Sequence, residues 1–121
     1  MGRAVGGLHD RVWWARPGLD VRGGRLSIAG RDAEAVAREH GTPVFAHDLT
    51  RVREQARALH AAFAGAGLDG RVRLALKAQR APEVLAALRS LGEPGSPTGV
   101  GLDVCSPREV EWALAHGWEP S

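Results

Sequence analysis

The stretch RVRLALKAQRAPEVLAALRSLG, residues 71–92, changes character at its middle. Val72 to Lys77 is a partly continuous apolar run, the pattern of a strand covered on both faces. Pro82 then stands where the first turn of a helix accepts it. Val84, Leu85, Leu88 and Leu91 recur on one helical face, and Gly92 supplies a stop. The stretch therefore reads as strand, short loop, helix. Lys77, at the loop end of the strand, is the one lysine among 16 cationic side chains. As solvated charge, arginine and lysine are interchangeable, but only lysine offers an amine that can lose its proton and attack a carbonyl carbon. The exception points to chemistry.

Outward from this stretch the same alternation recurs. On the C-terminal side, after the long loop EPGSPTG, VGLDV reads as a strand and SPREVEWALAHG as a helix with complete end signals. Ser106 is its N-cap, Pro107 its first residue, Glu109 closes a capping box, and Gly117 follows its end. On the N-terminal side, Leu49, Val52, Ala56, Leu59 and Phe63 mark a helix capped by Asp48 or Thr50, and Thr42–His47 reads as a strand before it. Further back, RDAEAVAREHG is a short helix with Asp32 as N-cap and Gly41 as its stop. Leu19–Arg22 and Arg25–Ala29 form a hairpin about Gly23-Gly24. Strands alternating with helices at this spacing indicate an α/β fold built on a parallel sheet.

Composition is that of a soluble globular chain, with 44% apolar and 25% charged residues in 121. The net charge of +2 is spread along the sequence, which argues against a nucleic-acid surface. One cysteine, Cys105, excludes an internal disulfide and a multi-cysteine metal site and suits a reducing compartment. No leader pattern opens the chain and no apolar run approaches the roughly 20 residues of a membrane span. A cytoplasmic protein is expected. Two full βα units, at 71–91 and 100–116, follow the strand and helix at 42–64. So small a parallel sheet leaves apolar faces uncovered, and the sequence is expected to be the front part of a larger domain.

Three blocks, GTPVFAHDLTRVREQ, RLALKAQRAPEVLAALRSLG and VGLDVCSPREVEWALAHGWEP, resemble in order the N-terminal part of fold-type III pyridoxal-phosphate enzymes, the alanine racemase and ornithine/diaminopimelate/arginine decarboxylase group. The last block is closer to the decarboxylases. The resemblance implies a partial TIM-type (β/α) barrel of the alanine racemase-like type, preceded by short strands. Residues 1–41 would join a β-domain and residues 42–121 would form the first βα units of the barrel. It implies pyridoxal 5′-phosphate as cofactor, an amino acid as substrate, no nucleic-acid or membrane partner, and a homodimer at full length. A complete barrel takes about 250 residues. The family's later elements would lie downstream: a histidine over the cofactor ring, the glycine-rich phosphate loop, the acid on the pyridine nitrogen and the catalytic cysteine.

By the same resemblance Lys77 forms the Schiff base with the cofactor, which requires an amine whose neutral form is favoured by burial. Without it, Lys77 reads as a snorkelling cation at a strand end. Asp103 matches an acid close to the lysine and cofactor, and can equally cap the turn that follows it. Ala75 matches a small residue that leaves room for the cofactor, and is also ordinary barrel filler. Ser106 and Glu109 match the family block, but the capping box accounts for both. Cys105 is expected to be a small buried hydrophobe. Two departures bear on the substrate: Ala78-Gln79-Arg80 stands where the family commonly has Ala-Asn and a small polar residue, and the EPGSPTG loop is longer than usual.

Other signals carry less. Gly65–Gly70, GAGLDG, fits G-x-G-x-x-G but leaves a helix and enters a strand, the reverse of a dinucleotide site. The five histidines lack paired metal spacing, and no metal site is expected. Trp13, Trp14, Trp112 and Trp118 are expected to be core or interface anchors. The expected function is thus the N-terminal part of a decarboxylase of the diaminopimelate, ornithine or arginine type. The alternatives are a racemase or aldolase of the same fold, or a non-catalytic cofactor-binding or remnant fragment.

Overall fold

The computed structural model describes residues 16–93 and 96–119. Trp13 and Trp14, and Pro94 and Gly95 of the long loop, lie outside the described residues. The fold is mixed α/β, in two units that divide between Asp48 and Leu49.

The first unit is a three-stranded antiparallel sheet followed by a helix. Strands β1 (Leu19–Arg22) and β2 (Arg25–Ile28) pair with Arg22 opposite Arg25. The two residues between them, Gly23 and Gly24, both have positive φ, 56° and 77°, the backbone that a tight hairpin turn requires and that glycine adopts without strain. A second two-residue turn at Ala29-Gly30 returns the chain into β3 (Arg31–Asp32), a strand too short to show in the sequence pattern. Helix α1 (Ala33–His40) starts where expected: the Asp32 carboxylate accepts the backbone N–H groups of Glu34, at 2.8 Å, and Ala35. Gly41 ends it, its N–H donating to the Ala37 carbonyl.

Residues 42–47, expected as a strand, pair with no strand among the described residues. A pleated segment becomes a strand only where a neighbouring edge exchanges hydrogen bonds with it. Phe45 is 92% exposed, an apolar side chain that no described residue covers.

The second unit holds α2 (Leu49–Gly65), β4 (Val72–Ala75), α3 (Pro82–Arg89), β5 (Val100–Asp103) and α4 (Pro107–Ala115). Strands β4 and β5 are parallel, in register from Val72 opposite Val100 to Ala75 opposite Asp103. Successive side chains of β4 point to opposite faces. The chain supplies apolar residues to both sides of this small sheet. One core joins Ala56, Val84, Leu88 and Val100, with Val52 and Leu74 packed against them; a second joins Leu76, Leu85, Ala113 and Trp118. Each of these larger side chains contributes roughly 1.5–3 kcal/mol by leaving water. Trp118 is buried in this core, as expected, while Trp112 lies partly buried beside it. GAGLDG joins the end of α2 to β4, so the helix-to-strand order read from sequence holds.

Candidate active-site loop at the ends of the parallel strands

Two of the candidate residues, Ala75 and Asp103, come level because β4 and β5 run the same way and stop together. Ala75 is the last residue of β4 and faces Asp103, the last of β5. Beyond Ala75 the strand does not continue to Lys77. The Ala78 N–H donates to the Ala75 carbonyl at 3.0 Å, and Leu76–Ala78 form a turn. Within that turn Leu76 is fully buried in the second core, and its N–H donates to the Asp103 carbonyl at 2.9 Å. Lys77, the next residue, lies in the turn and is exposed.

Neither the Lys77 amine nor the Asp103 carboxylate has a hydrogen-bond or ion-pair partner among the described residues. An amine without a competing carboxylate, one methyl side chain two residues before it, and an acid at the neighbouring strand end fit the aldehyde end of pyridoxal phosphate. Lys77 could hold that group, with Ala75 and Asp103 flanking it. The wall that would bury the amine is not built by the described residues.

Below the turn the side chains are closely tied. Glu109, in the first turn of α4, is buried, its side chain only 10% exposed. One carboxylate oxygen accepts the Arg80 Nη2 at 2.7 Å and the other accepts the Cys105 backbone N–H at 2.8 Å. Arg80 Nε also donates, at 3.4 Å, to the carbonyl of Leu76. The capping box is therefore half as expected. Ser106 Oγ accepts the Glu109 N–H, but the Glu109 side chain reaches past the cap to Cys105 and across to Arg80. Sequence reasoning did not anticipate this pair; its only sign was that Arg80 departs from the family block. Cys105 corrects another expectation. Its thiol is exposed, because Val104 beside it turns toward the core. Gln79 Oε1 accepts the Ala81 N–H at 2.8 Å and so holds the entry to α3, whose own cap residue, Ala81, has no side-chain acceptor.

A hollow of about 380 Å³ opens beside the ion pair, lined by Leu76, Arg80, Ser106, Arg108, Glu109 and Trp112. Among the described residues no three His, Cys, Asp or Glu side chains gather to hold a metal ion, and no helix is long and apolar enough to cross a membrane.

No protein-family model and no solved structure matches the chain. Curated proteins do. It is 40% identical over 105 residues to the diaminopimelate decarboxylase of Methanothermobacter thermautotrophicus, covering 86% of this chain and 23% of that protein. It is 37% identical over 95 residues to that of Bacillus subtilis, 78% of this chain and 20% of the relative, and 32% identical over 98 residues to that of Staphylococcus aureus, 81% and 22%. Each span is long enough to include Lys77 wherever it begins. The chain spans about a fifth of the length of these relatives. Over some four fifths of its own length it is thus homologous to a segment of the diaminopimelate decarboxylases, fold-type III pyridoxal-phosphate enzymes.

Proposed function

We propose that the chain is the N-terminal part of a pyridoxal-phosphate-dependent decarboxylase that acts on diaminopimelate or a similar α-amino acid. The observation that carries this reading is the likeness to diaminopimelate decarboxylases over a span that includes the one lysine of the sequence. Residues 42–121 would be the opening βα units of a TIM-type barrel, and residues 1–41 would belong to a β-domain. The complete enzyme would be a cytoplasmic homodimer. The parallel β4–β5 pair supports the barrel reading, because catalytic groups of such barrels gather at and just beyond the C-terminal ends of the strands, where Asp103 ends β5 and Lys77 follows β4 in the turn after it.

When bound, the cofactor supplies an electron sink for the charge left behind as carbon dioxide departs. The chain's own part is to hold and orient. Lys77 would hold the cofactor's aldehyde carbon through Nζ, Ala75 would leave room beside it, and Asp103, close to the lysine and cofactor, would help to orient the amine.

The test uses the two amines of the chain, Lys77 Nζ and the α-amine of Met1. The protein is mixed with pyridoxal phosphate, reduced with borohydride, digested and mapped. The reading expects the pyridoxyl group on Lys77 well in excess of Met1 at low cofactor concentration. Equal labelling of the two amines, or none on Lys77, would remove its support.

A further inference from the structure

We infer that Arg80 and Glu109 form a clamp that sets the position of Lys77, making Arg80 a positioning residue for the proposed cofactor site. The inference rests on the cofactor reading for its functional meaning and on the geometry for its existence.

Two loops leave the ends of the parallel strands. Lys77 lies in one, between β4 and α3, and Asp103 borders the other, between β5 and α4. Loops of this kind are free to shift unless side chains tie them down. Arg80 ties the first loop twice: Nε donates to the Leu76 carbonyl, immediately before Lys77, and Nη2 donates to Glu109. Glu109 ties the second loop, because its other oxygen accepts the Cys105 N–H, two residues after Asp103. A single buried carboxylate thus joins both loops, and the chain from Leu76 to Arg80 is closed into a short ring with Lys77 on it. The planar guanidinium suits this task, since its donors sit at fixed angles and reach a carbonyl and a carboxylate together. Glu109 is held by α4 through the Ser106 cap and through its place beside the buried Ala113, so the clamp is anchored to the core and not to another loop. Arg80 does not contact Lys77 Nζ; it acts through the backbone of Leu76.

The experiment measures the clamp apart from the cofactor. Backbone amide exchange is followed by nuclear magnetic resonance at Leu76 and Cys105 in the full chain, in Arg80→Gln, in Glu109→Gln and in the double variant, with α2, in the same unit, as an internal control for folding. The clamp predicts that Arg80→Gln speeds exchange at the Leu76 N–H by about fivefold or more, that Glu109→Gln does the same, and that the double variant adds little, because the two residues act through one contact. Effects that add independently, or unchanged exchange at Leu76 in Arg80→Gln, would overturn it. The ratio of pyridoxyl label on Lys77 to that on Met1 is then compared across the same set. A fall in Arg80→Gln at every pH tested supports a positioning role, whereas a ratio equal to that of the parent chain overturns it. If the parent chain itself takes no label on Lys77, the cofactor reading fails and the positioning role with it, while the exchange rates still report whether the clamp exists.

Discussion

Leu76 donates its backbone N–H to the carbonyl oxygen of Asp103 at 2.9 Å while burying its side chain completely in the core that Leu85, Ala113 and Trp118 share. One residue therefore couples the packing of α3 and α4 to the level at which Lys77 leaves the sheet. Shortening that side chain should disturb both.

Leu76→Ala is expected to destabilise the second unit by about 2–5 kcal/mol, the range for removing a fully buried leucine and leaving a cavity. Urea unfolding followed by tryptophan fluorescence measures it, since Trp118 lies in the same core. A loss below about 1 kcal/mol would mean that the site collapses onto the space or that Leu76 is not packed as described.

Lys77→Arg separates charge from chemistry. Arginine keeps a cation at the turn but has no amine that can form a bond to an aldehyde carbon at working pH. The variant is expected to fold with unchanged circular dichroism and to lose all pyridoxyl label outside Met1. Label persisting at another residue would show that the capture is not a property of Lys77.

Asp32→Asn tests electrostatics in the first unit. Partial burial pushes the Asp32 carboxyl up, but the Glu34 and Ala35 N–H groups and the Arg25 guanidinium outweigh it and hold the carboxyl below its ordinary value of 3.8. A group whose pKa is lower in the folded state than in the unfolded chain stabilises the fold above the unfolded value, and that contribution is lost as pH falls through the folded value. Helix α1 of the parent chain should therefore weaken as pH drops below about 4. In Asp32→Asn the side chain still caps the helix, since asparagine is as good an N-cap as aspartate, but the acid dependence at this position should disappear. Helical circular dichroism of the two proteins between neutral and acid pH provides the comparison. Glu39, also held low, by the Arg31 side chain first, remains in both proteins and sets the residual slope.

How much of this was legible in the sequence follows from the range of each interaction. The two ends of helix α4 were readable because Ser106, Pro107 and Gly117 act within one turn of where they stand, whereas the reach of the Glu109 side chain was not. The hairpin at Gly23-Gly24 was readable for the same reason. Residues 42–47 look like a strand because alternation reports only the fitness of a segment for a sheet; pairing depends on an edge elsewhere, and among the described residues no strand joins them. Strand β4 stops at Ala75 instead of Lys77 because Ala78 folds back onto the Ala75 carbonyl, a turn that no glycine or proline announces. The pairing of Arg80 with Glu109 crosses 29 positions and has no periodicity to betray it. Lys77 and Asp103 were picked out by composition and resemblance; that Ala75, not Lys77, stands level with Asp103 at the ends of the two parallel strands is a result of register, which only the fold supplies.

The purified 121-residue chain should release no carbon dioxide from diaminopimelate or from any other amino acid in the presence of pyridoxal phosphate. Stabilising the charge left by decarboxylation needs the cofactor held at its phosphate and ring as well as its aldehyde, and needs water kept away from the reacting carbon. The described residues offer an amine, a methyl group and one carboxylate, all at the exposed ends of a two-stranded sheet, and the chain spans about a fifth of the relatives that carry the decarboxylase name. Release of labelled carbon dioxide from carboxyl-labelled diaminopimelate decides the matter. A rate above that of free cofactor would show that Lys77 and its immediate neighbours suffice for turnover, whereas capture on Lys77 without release would assign these residues to cofactor attachment alone.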